Sequence, residues 1–295
     1  MQAQGWRRVA PCVALMLASC ASAWAQRLGA EPTHDAGQGV TPAFEGWFKN
    51  PDGTFSIMLG YFNRNTKEVV DIPIGPNNHI DPGGPDRGQP THFLANRGWG
   101  PFVVIVPADF GDKEITWTLT ANAQTNKIPA GLNPLWEIAP MIDAISNTPP
   151  YLSFQSFEEN GPSIQGPRPV VTTRTATVGV PLPITVWVAD DNVYSPGRLP
   201  PRTPITVTWT MLRGPADVVF SNAKPAVEKT EGKLPAGTKV AGKATTSVTF
   251  VEPGQYTLYV VINDASGVGG GGGFQCCWTN GHVKVDVKPA SAGSK

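Results

Sequence analysis

Strict alternation of apolar and polar residues, repeated in segment after segment, constrains the fold of this chain more than any other feature. In "EITWTLT" the apolar positions are Ile115, Trp117 and Leu119, and in "HVKVDVK" valines alternate with charged residues over 282–288. Successive side chains of a β-strand point to opposite faces, so these segments indicate strands with one apolar and one solvated face. The 32 glycines and 30 prolines punctuate the segments and supply turns between strands. The sequence therefore predicts an all-β chain.

Two series of such strands are separated by "SNTPPYL" at 146–152, because paired prolines interrupt both helices and central strands. Clean period-2 patterns favour antiparallel sheets packed as sandwiches. We predict two antiparallel β-sandwich domains, and the strong turn "NPDG" at 50–53 places a hairpin at the start of the first. The predicted organisation is a signal peptide over 1–25, a flexible leader over 26–42, an N-terminal domain over 43–146, a second domain over 147–288 and a disordered tail over 289–295.

The first 25 residues have the pattern of an export signal. Arg7 and Arg8 precede an apolar stretch over 9–17, which is too short to cross a bilayer as a helix. Small residues favour cleavage after Ala25, whereas "LASC" resembles the lipobox of bacterial lipoproteins and keeps lipidation of Cys20 open. We expect an exported protein of the periplasm, the outer-membrane surface or the extracellular space. Contact with a membrane is expected only through that lipid.

Charge and motif content exclude several classes of function. The formal net charge is zero and no block of lysine and arginine occurs, so no nucleic-acid partner is expected. The sequence contains no G-x-S-x-G, P-loop, dinucleotide-binding or H-E-x-x-H motif. The five-glycine run at 269–273 precedes no helical pattern and therefore lacks the context of a phosphate-binding loop. An enzyme is not the favoured prediction.

Two segments of the second series, "VTWTMLRGPADVVFSN" and "TTSVTFVEPGQYTLYVVINDASG", resemble PKD-like and related immunoglobulin-like modules of bacterial exported proteins. The shared elements are a strand with Trp209, the turn Gly214-Pro215 before a short Val/Phe strand, and "PGQY" at 253–256. The resemblance covers about 170–288 and implies an immunoglobulin-like sandwich, with 268–281 inserted before the last strand. Residues 44–140 resemble a segment of uncharacterised exported bacterial proteins, which implies no activity.

The adjacent cysteines Cys276 and Cys277 are the most distinctive residues of the predicted exported chain, because the other two cysteines fall within the first 25 residues. In an oxidising compartment they can pair only with each other or with another chain. Adjacent Cα atoms lie about 3.8 Å apart, or about 2.9 Å across a cis peptide, whereas ordinary disulfides span roughly 4.4–6.8 Å. A bond between them is therefore expected to be strained. The alternative is a buried pair of reduced cysteines packing as small hydrophobes.

We predict a vicinal disulfide that stiffens a loop tip, with neighbouring aromatic rings forming an apolar platform. The candidate binding residues are Phe274, Cys276, Cys277, Trp278 and His282. A zinc site fits poorly, since zinc-binding cysteines are usually spaced two to four residues apart, but ligand type keeps a copper site open.

Other candidate metal ligands lie in loops and at strand ends. His79 and His92 lie in a long predicted loop over 75–92 that is rich in proline and glycine, and Asp190, Asp191 and Asp264 end predicted strands. Oxygen ligands at strand ends suit calcium, but aspartates there serve equally as turn residues. No cofactor is predicted, and calcium and copper stay open as alternatives.

Four tryptophans fall at hairpins or loop edges, where aromatic side chains also serve carbohydrate or protein surfaces: Trp47, Trp99, Trp136 and Trp278. The sequence thus favours a non-catalytic binding or interaction module with a protein or carbohydrate ligand. Two alternatives stay open. One is an enzyme or metal-handling protein that uses the Cys276-Cys277 loop, and the other is a structural spacer in a larger envelope assembly.

Overall fold

A computed structural model describes residues 32–159, 162–193, 203–264 and 276–290, and from His34 onwards the described chain forms one compact unit. Its strands are β1 (Val40–Lys49), β2 (Phe55–Asn63), β3 (Val70–Asp71), β4 (Asn78–Asp81), β5 (His92–Phe93), β6 (Asn96–Val106), β7 (Glu114–Ala121), β8 (Gln124–Gly131), β9 (Tyr151–Ser153), β10 (Ser163–Ile164), β11 (Val170–Thr177), β12 (Leu182–Asp190), β13 (Thr206–Arg213), β14 (Val218–Phe220), β15 (Glu228–Lys229), β16 (Val240–Phe250), β17 (Gly254–Asn263) and β18 (Trp278–Lys288). The predicted all-β fold is confirmed: the described residues add short 3-10 turns and no α-helix.

The N-terminal sandwich packs the sheet β1-β2-β6 against the sheet β4-β7-β8, with the small pair β3-β5 beside them. The predicted hairpin is confirmed, since β1 pairs antiparallel with β2 across the turn at 50–53. Trp117 of β7 is fully buried, its ring lies 5.1 Å from that of Phe102, and its indole N–H donates to Asn78 Oδ1 at 3.0 Å. Alternating apolar residues from both sheets thus close one core.

The C-terminal sandwich packs the sheet β10-β9-β12-β16-β14 against the sheet β11-β18-β17-β13. The predicted inward residues of β12, Ile184, Val186 and Val188, all lie in one core with Trp209 of β13. Trp187 points the other way and packs on a small separate cluster. The strand alternation read from the sequence therefore assigns the faces correctly.

Three details of the fold differ from the sequence analysis or are absent from it. The pair β11 and β18 is parallel, because the chain crosses from one sheet to the other between them, so the sheets are not purely antiparallel. β8 was not predicted, because its outward residues are polar and it includes Pro129. The predicted long loop over 75–92 contains β4 and the first residue of β5, each too short for periodicity to reveal.

The two sandwiches are in direct contact. Arg213, at the end of β13, forms a bidentate ion pair with Asp86 at 2.8 and 3.0 Å and donates from Nε to the Gln89 carbonyl at 2.7 Å. Thr91 donates its backbone N–H to the Leu212 carbonyl at 3.1 Å. The predicted domain boundaries stay predictions, but the contacts show that the N-terminal and C-terminal cores belong to one body.

Candidate functional site

The stretch that the sequence marks as most distinctive lies inside the molecule. Cys276 and Cys277 are joined by a disulfide, which confirms the predicted vicinal pairing. Cys276 is 3 % exposed, Cys277 is fully buried, and Trp278 at the start of β18 is 2 % exposed. Trp278 is therefore not available as part of the predicted apolar platform beside a loop tip. Phe274 lies outside the described residues.

Trp278 is buried because it packs against the outer face of the N-terminal sheet. Its six-membered ring lies so close to Gly100 of β6 that a Cβ there would approach Trp278 Cζ2 to 3.2 Å and Met58 Sδ to 2.8 Å. Gly100 also has a φ of +45°, which disfavours side chains. Glycine at this position thus allows β6 and β18 to approach, and Met58 is covered in turn, with 1 % exposure. We call the contact of 276–282 with 100–101 the seam.

Polar side chains of β18 complete the seam. Asn280 donates from Nδ2 to the Gly100 carbonyl at 2.8 Å, and its Oδ1 accepts from the Tyr259 hydroxyl at 2.9 Å. His282 Nε2 lies 3.2 Å from the Pro101 carbonyl. A carbonyl only accepts, so the geometry assigns the hydrogen to Nε2. Asn280 and His282 thereby bond to carbonyls across the seam, whereas the indole nitrogen of Trp278 is buried without a hydrogen-bond partner among the described residues.

Burial governs the charge of His282. Loss of solvation lowers the pKa of its imidazole to about 4, although the bond to the Pro101 carbonyl acts in the opposite direction. The ring also lies 5.6 Å from that of Tyr259, whose pKa is raised by burial. His282 is thus a neutral, buried hydrogen-bond donor at neutral pH, which is a structural role.

A group of carboxyl and amide side chains lies at the end of the C-terminal sandwich. Asn147 donates from Nδ2 to Asp264 Oδ2 at 2.6 Å, and the backbone carbonyl oxygen of Asn147 lies 3.5 Å from Cys277 Sγ. Asp190 Oδ2 accepts from the Asn192 backbone N–H at 2.8 Å, whereas its Oδ1 is buried without a hydrogen-bond partner among the described residues. Asn147, in the segment between the two sandwiches, is thereby held next to the disulfide of Cys276 and Cys277.

The carboxyl of Asp190 exchanges its proton near neutral pH rather than in the acidic range usual for aspartate. Burial raises its pKa to about 7, and the nearby charges of Asp264 and Asp191 act in the same direction, against the hydrogen bond from Asn192. Asp191 instead accepts from the backbone N–H and the hydroxyl of Thr148, at 2.9 and 2.7 Å. The two adjacent aspartates therefore differ in role: Asp191 holds Thr148 by two hydrogen bonds, whereas Asp190 is a buried carboxyl with a raised pKa.

The predicted histidine ligands are separated by the fold. His92 of β5 pairs with Asp71 at 2.8 Å, and His79 of β4 lies 3.4 Å from Asp81 on another sheet. Within the described ranges, no group of three or more histidine, cysteine, aspartate or glutamate side chains is arranged to hold a metal ion. The predicted signal peptide and Cys20 lie outside the described residues.

Sequence reasoning did not single out a groove at the edge of the N-terminal sandwich that is lined by two aromatic side chains. The groove has a volume of about 530 Å³. Phe44 and Trp136 contribute its aromatic wall, with ring centroids 5.7 Å apart and planes inclined at 43°. The remaining lining comprises the apolar residues Ile128, Pro129, Gly131, Leu132 and Pro134, and the exposed polar residues Asp112, Lys113, Glu114 and Asn133, which we call the rim. We call this the aromatic groove.

Trp136 is exposed although its backbone is tightly held. Its side chain is 52 % exposed, and the preceding Leu135 is 89 % exposed. Asn133 caps the 3-10 turn Pro134–Trp136, with its Oδ1 accepting from the Leu135 N–H at 3.0 Å. Trp47, in β1, donates its indole N–H to the Asn133 carbonyl at 2.7 Å and accepts at its own carbonyl from the Ile138 N–H at 2.9 Å.

Gly46 explains why this turn fits so closely on β1. It follows a register shift in the pairing of β1 with β2, has a φ of +120°, and a Cβ there would approach the Trp136 carbonyl to 2.7 Å. A side chain at this position would push the turn away. The result is an exposed indole ring on a rigid support, in contrast to the buried indole ring of Trp278.

The four tryptophans selected from the sequence divide into two classes. Trp47 and Trp278 are 7 % and 2 % exposed, whereas Trp99 and Trp136 are 44 % and 52 % exposed. Trp99 carries the Arg97 guanidinium 4.3 Å above its ring. That contact covers one face of the Trp99 ring, whereas Trp136 lines the aromatic groove.

The sequence matches no protein-family model and no curated protein. Three solved structures show a distant likeness. Domains 4 and 5 of the S-layer protein SbsC align over 63 % of this chain and 70 % of theirs, with 13 % identity and a TM-score of 0.22. The D00-D0 domain of intimin aligns over 83 % and 98 %, with 15 % identity and a TM-score of 0.24.

The third is CfaE, the adhesive subunit of the CFA/I fimbria of enterotoxigenic Escherichia coli. It aligns over 88 % of this chain and 90 % of its own length, with 8 % identity and a TM-score of 0.23. At such TM-scores these likenesses carry no argument about function. Among the described residues, no helix has the length and apolar character needed to cross a membrane.

Proposed function

We propose that this chain is a non-catalytic binding module of the bacterial periplasm or cell surface, and that the aromatic groove is its binding face. The observation that carries the proposal is the half-exposed indole of Trp136, held over a groove by the contacts of 133–138 with β1. Exposed aromatic side chains in concave sites mark interaction surfaces. A rigid support lowers the entropy lost on binding.

Export is part of the proposal, and two sequence features support it. Residues 1–25 carry the pattern of an export signal, and disulfides persist mainly in oxidising compartments. The joined Cys276 and Cys277 fit that setting. The C-terminal sandwich is proposed to be a PKD-like module that supports the N-terminal sandwich through the seam.

The structure gives little support to a metal-handling or catalytic role for the cysteines. A metal ligand or nucleophile must be an accessible thiolate. Cys276 and Cys277 are instead buried and joined to each other. The spacer function is the remaining alternative, and it differs from the proposal in requiring no ligand.

The experiment is co-sedimentation of the purified full chain with envelope fragments of the bacterium that produces it. We expect saturable binding that weakens at least about tenfold in Trp136→Ala, because aromatic residues at the centre of a contact dominate affinity. Trp99→Ala is the matched control, since it removes an indole of similar exposure outside the groove, and it should bind as the parent does. Absence of binding by the parent chain, or equal binding by Trp136→Ala, would overturn the proposal, and the former would favour the spacer.

A further inference from the structure

The aromatic groove has the side-chain chemistry of a sugar-binding site. A pyranose ring has one face made of C–H groups and an edge of hydroxyls, so it requires an aromatic surface beside hydrogen-bonding groups. Phe44 and Trp136 provide two inclined aromatic faces, and the half-buried Ile128 and Leu132 extend the apolar surface. Aromatic rings with a polar rim suit ligands that are apolar on one side and wet on the other.

The rim supplies hydrogen-bonding groups that remain accessible. Asp112, Lys113 and Glu114 are all exposed, and they lie in succession where the chain enters β7. Ionised carboxylates accept hydrogen bonds, and charge-assisted bonds from hydroxyl donors are short and strong. Two carboxylates and one ammonium therefore favour a ligand that is rich in hydroxyl donors.

The same rim argues against an anionic ligand. An acidic sugar would bring its carboxylate beside Asp112 and Glu114, with only Lys113 at the rim as counter-charge. Like charges placed together weaken association and serve specificity. The charge balance thus selects neutral sugars over acidic ones.

We infer that the aromatic groove binds a neutral oligosaccharide of the bacterial envelope, with a sugar ring against Trp136 and its hydroxyls donating to Asp112 and Glu114. This inference rests on the proposed function and specifies its ligand. The groove also resembles the aromatic-lined surfaces that take proline-rich peptides, so a peptide ligand is the outcome that the test must separate.

The test uses two treatments of the same envelope fragments. Mild periodate cleaves the vicinal diols of sugars, and exhaustive proteinase digestion removes proteins. We expect Trp136-dependent binding of the full chain to fall at least about fivefold after periodate and to survive the proteinase. Loss after proteinase together with survival after periodate would overturn the carbohydrate assignment while leaving the proposed binding function intact.

A second measurement uses defined probes. On an array of neutral and acidic oligosaccharides, we expect the full chain to bind neutral members and Trp136→Ala to lose at least about tenfold in affinity, with Trp99→Ala unchanged. The double variant Asp112→Asn and Glu114→Gln should bind neutral oligosaccharides more weakly. The ratio of its affinities for neutral and acidic oligosaccharides should also be smaller than that of the parent chain. Preference for acidic members, or Trp136-dependent binding of a proline-rich peptide without any oligosaccharide, would contradict the inference.

Discussion

The seam and the aromatic groove are each built around a tryptophan, yet they differ in what surrounds the ring. Trp278 is covered by the outer face of β6 and is 2 % exposed, whereas Trp136 lies over an open groove and is 52 % exposed. The seam also holds a disulfide and a histidine, the residue types that suggest chemistry in a sequence. The comparison teaches that residues with an unusual sequence pattern, such as the adjacent cysteines, can serve to join two sandwiches. An exposed aromatic side chain can instead come from a segment without such a pattern, as Trp136 does.

A glycine accounts for each half of the comparison. Gly100 allows Trp278 to press against β6, and Gly46 allows the turn carrying Trp136 to press against β1. In the first case the close approach buries the indole, and in the second it fixes the backbone and leaves the indole outside. Both positions have positive φ, so substitution would strain the backbone as well as the contact.

The largest expected effect separates the two tryptophans by stability. Trp278→Ala removes a fully packed ring, and we expect a loss of about 3–5 kcal/mol in the free energy of unfolding, the usual cost of deleting a buried indole. Urea denaturation followed by circular dichroism measures it. Trp278→Phe should recover part of the loss, since it retains most of the apolar volume. A loss below about 1 kcal/mol for Trp278→Ala would show that the seam is loose.

The second expected effect is a pH dependence centred on Asp190. Its pKa is raised to about 7 in the folded protein from an ordinary value of 3.8, so the folded state holds a proton that the unfolded state releases. This contribution to stability is therefore greatest below about pH 4 and is lost as the pH rises through 7. Asp190→Asn should be more stable than the parent at pH 8, by at most about 4 kcal/mol.

His282 contributes with the opposite sign in part of the same window. Its pKa is lowered to about 4 from 6.5, so the unfolded state takes up a proton that the folded state refuses. Stability from this group is present above pH 6.5 and falls as the pH drops towards 4. In Asp190→Asn this trend is unmasked, and stability should rise from pH 4.5 to 6.5 in urea titrations. Asp217→Asn, at an exposed carboxyl, is the control, and a parent-like profile in Asp190→Asn would refute the assignment.

Sequence alternation predicted the faces of the long strands well, because alternate residues of β12 and β17 face the core and the residues between them point away from it. It failed for β4 and β5, which are too short to show a period, and for the parallel pair of β11 and β18. Pairing direction depends on how the chain crosses between sheets, which alternation does not encode.

The candidate site was less predictable than the fold. The pairing of Cys276 with Cys277 followed from compartment and adjacency alone. Their burial involves contact of both sulfurs with the backbone carbonyl of Asn147, which lies 129 and 130 residues away in sequence. The signal for the aromatic groove was Trp136 beside Pro134 and Asn133, a capped turn that carries an exposed ring. Only the contact of this turn with β1, which the structure provides, shows that the indole ring is held in an exposed position.

A third prediction concerns the disulfide. Cys276 and Cys277 close a loop of adjacent residues, so the entropy that the bond removes from the unfolded chain is small. We expect the double variant Cys276→Ala and Cys277→Ala to lose about 1–2 kcal/mol, mainly through lost packing of two buried sulfurs. Urea denaturation measures this loss, and envelope binding should not change. Loss of envelope binding in a double variant that remains folded would indicate that Cys276 and Cys277 belong to the binding site.

The smallest expected effect on stability belongs to Trp136. Because about half of its side chain is exposed, Trp136→Ala should change the free energy of unfolding by less than about 1 kcal/mol. Trp99→Ala should have a comparably small effect, measured in the same urea series. A loss for Trp136→Ala as large as that for Trp278→Ala would mean that the groove is part of the core.

Hydroxyl-radical footprinting of the native full chain, read by mass spectrometry at individual tryptophans, tests the difference between seam and groove most directly. The account predicts that Trp136 and Trp99 are oxidised readily, and that Trp278 is protected until urea unfolds the protein. Oxidation of Trp278 at the rate of Trp136 under native conditions would contradict it, because the seam would then be open to solvent.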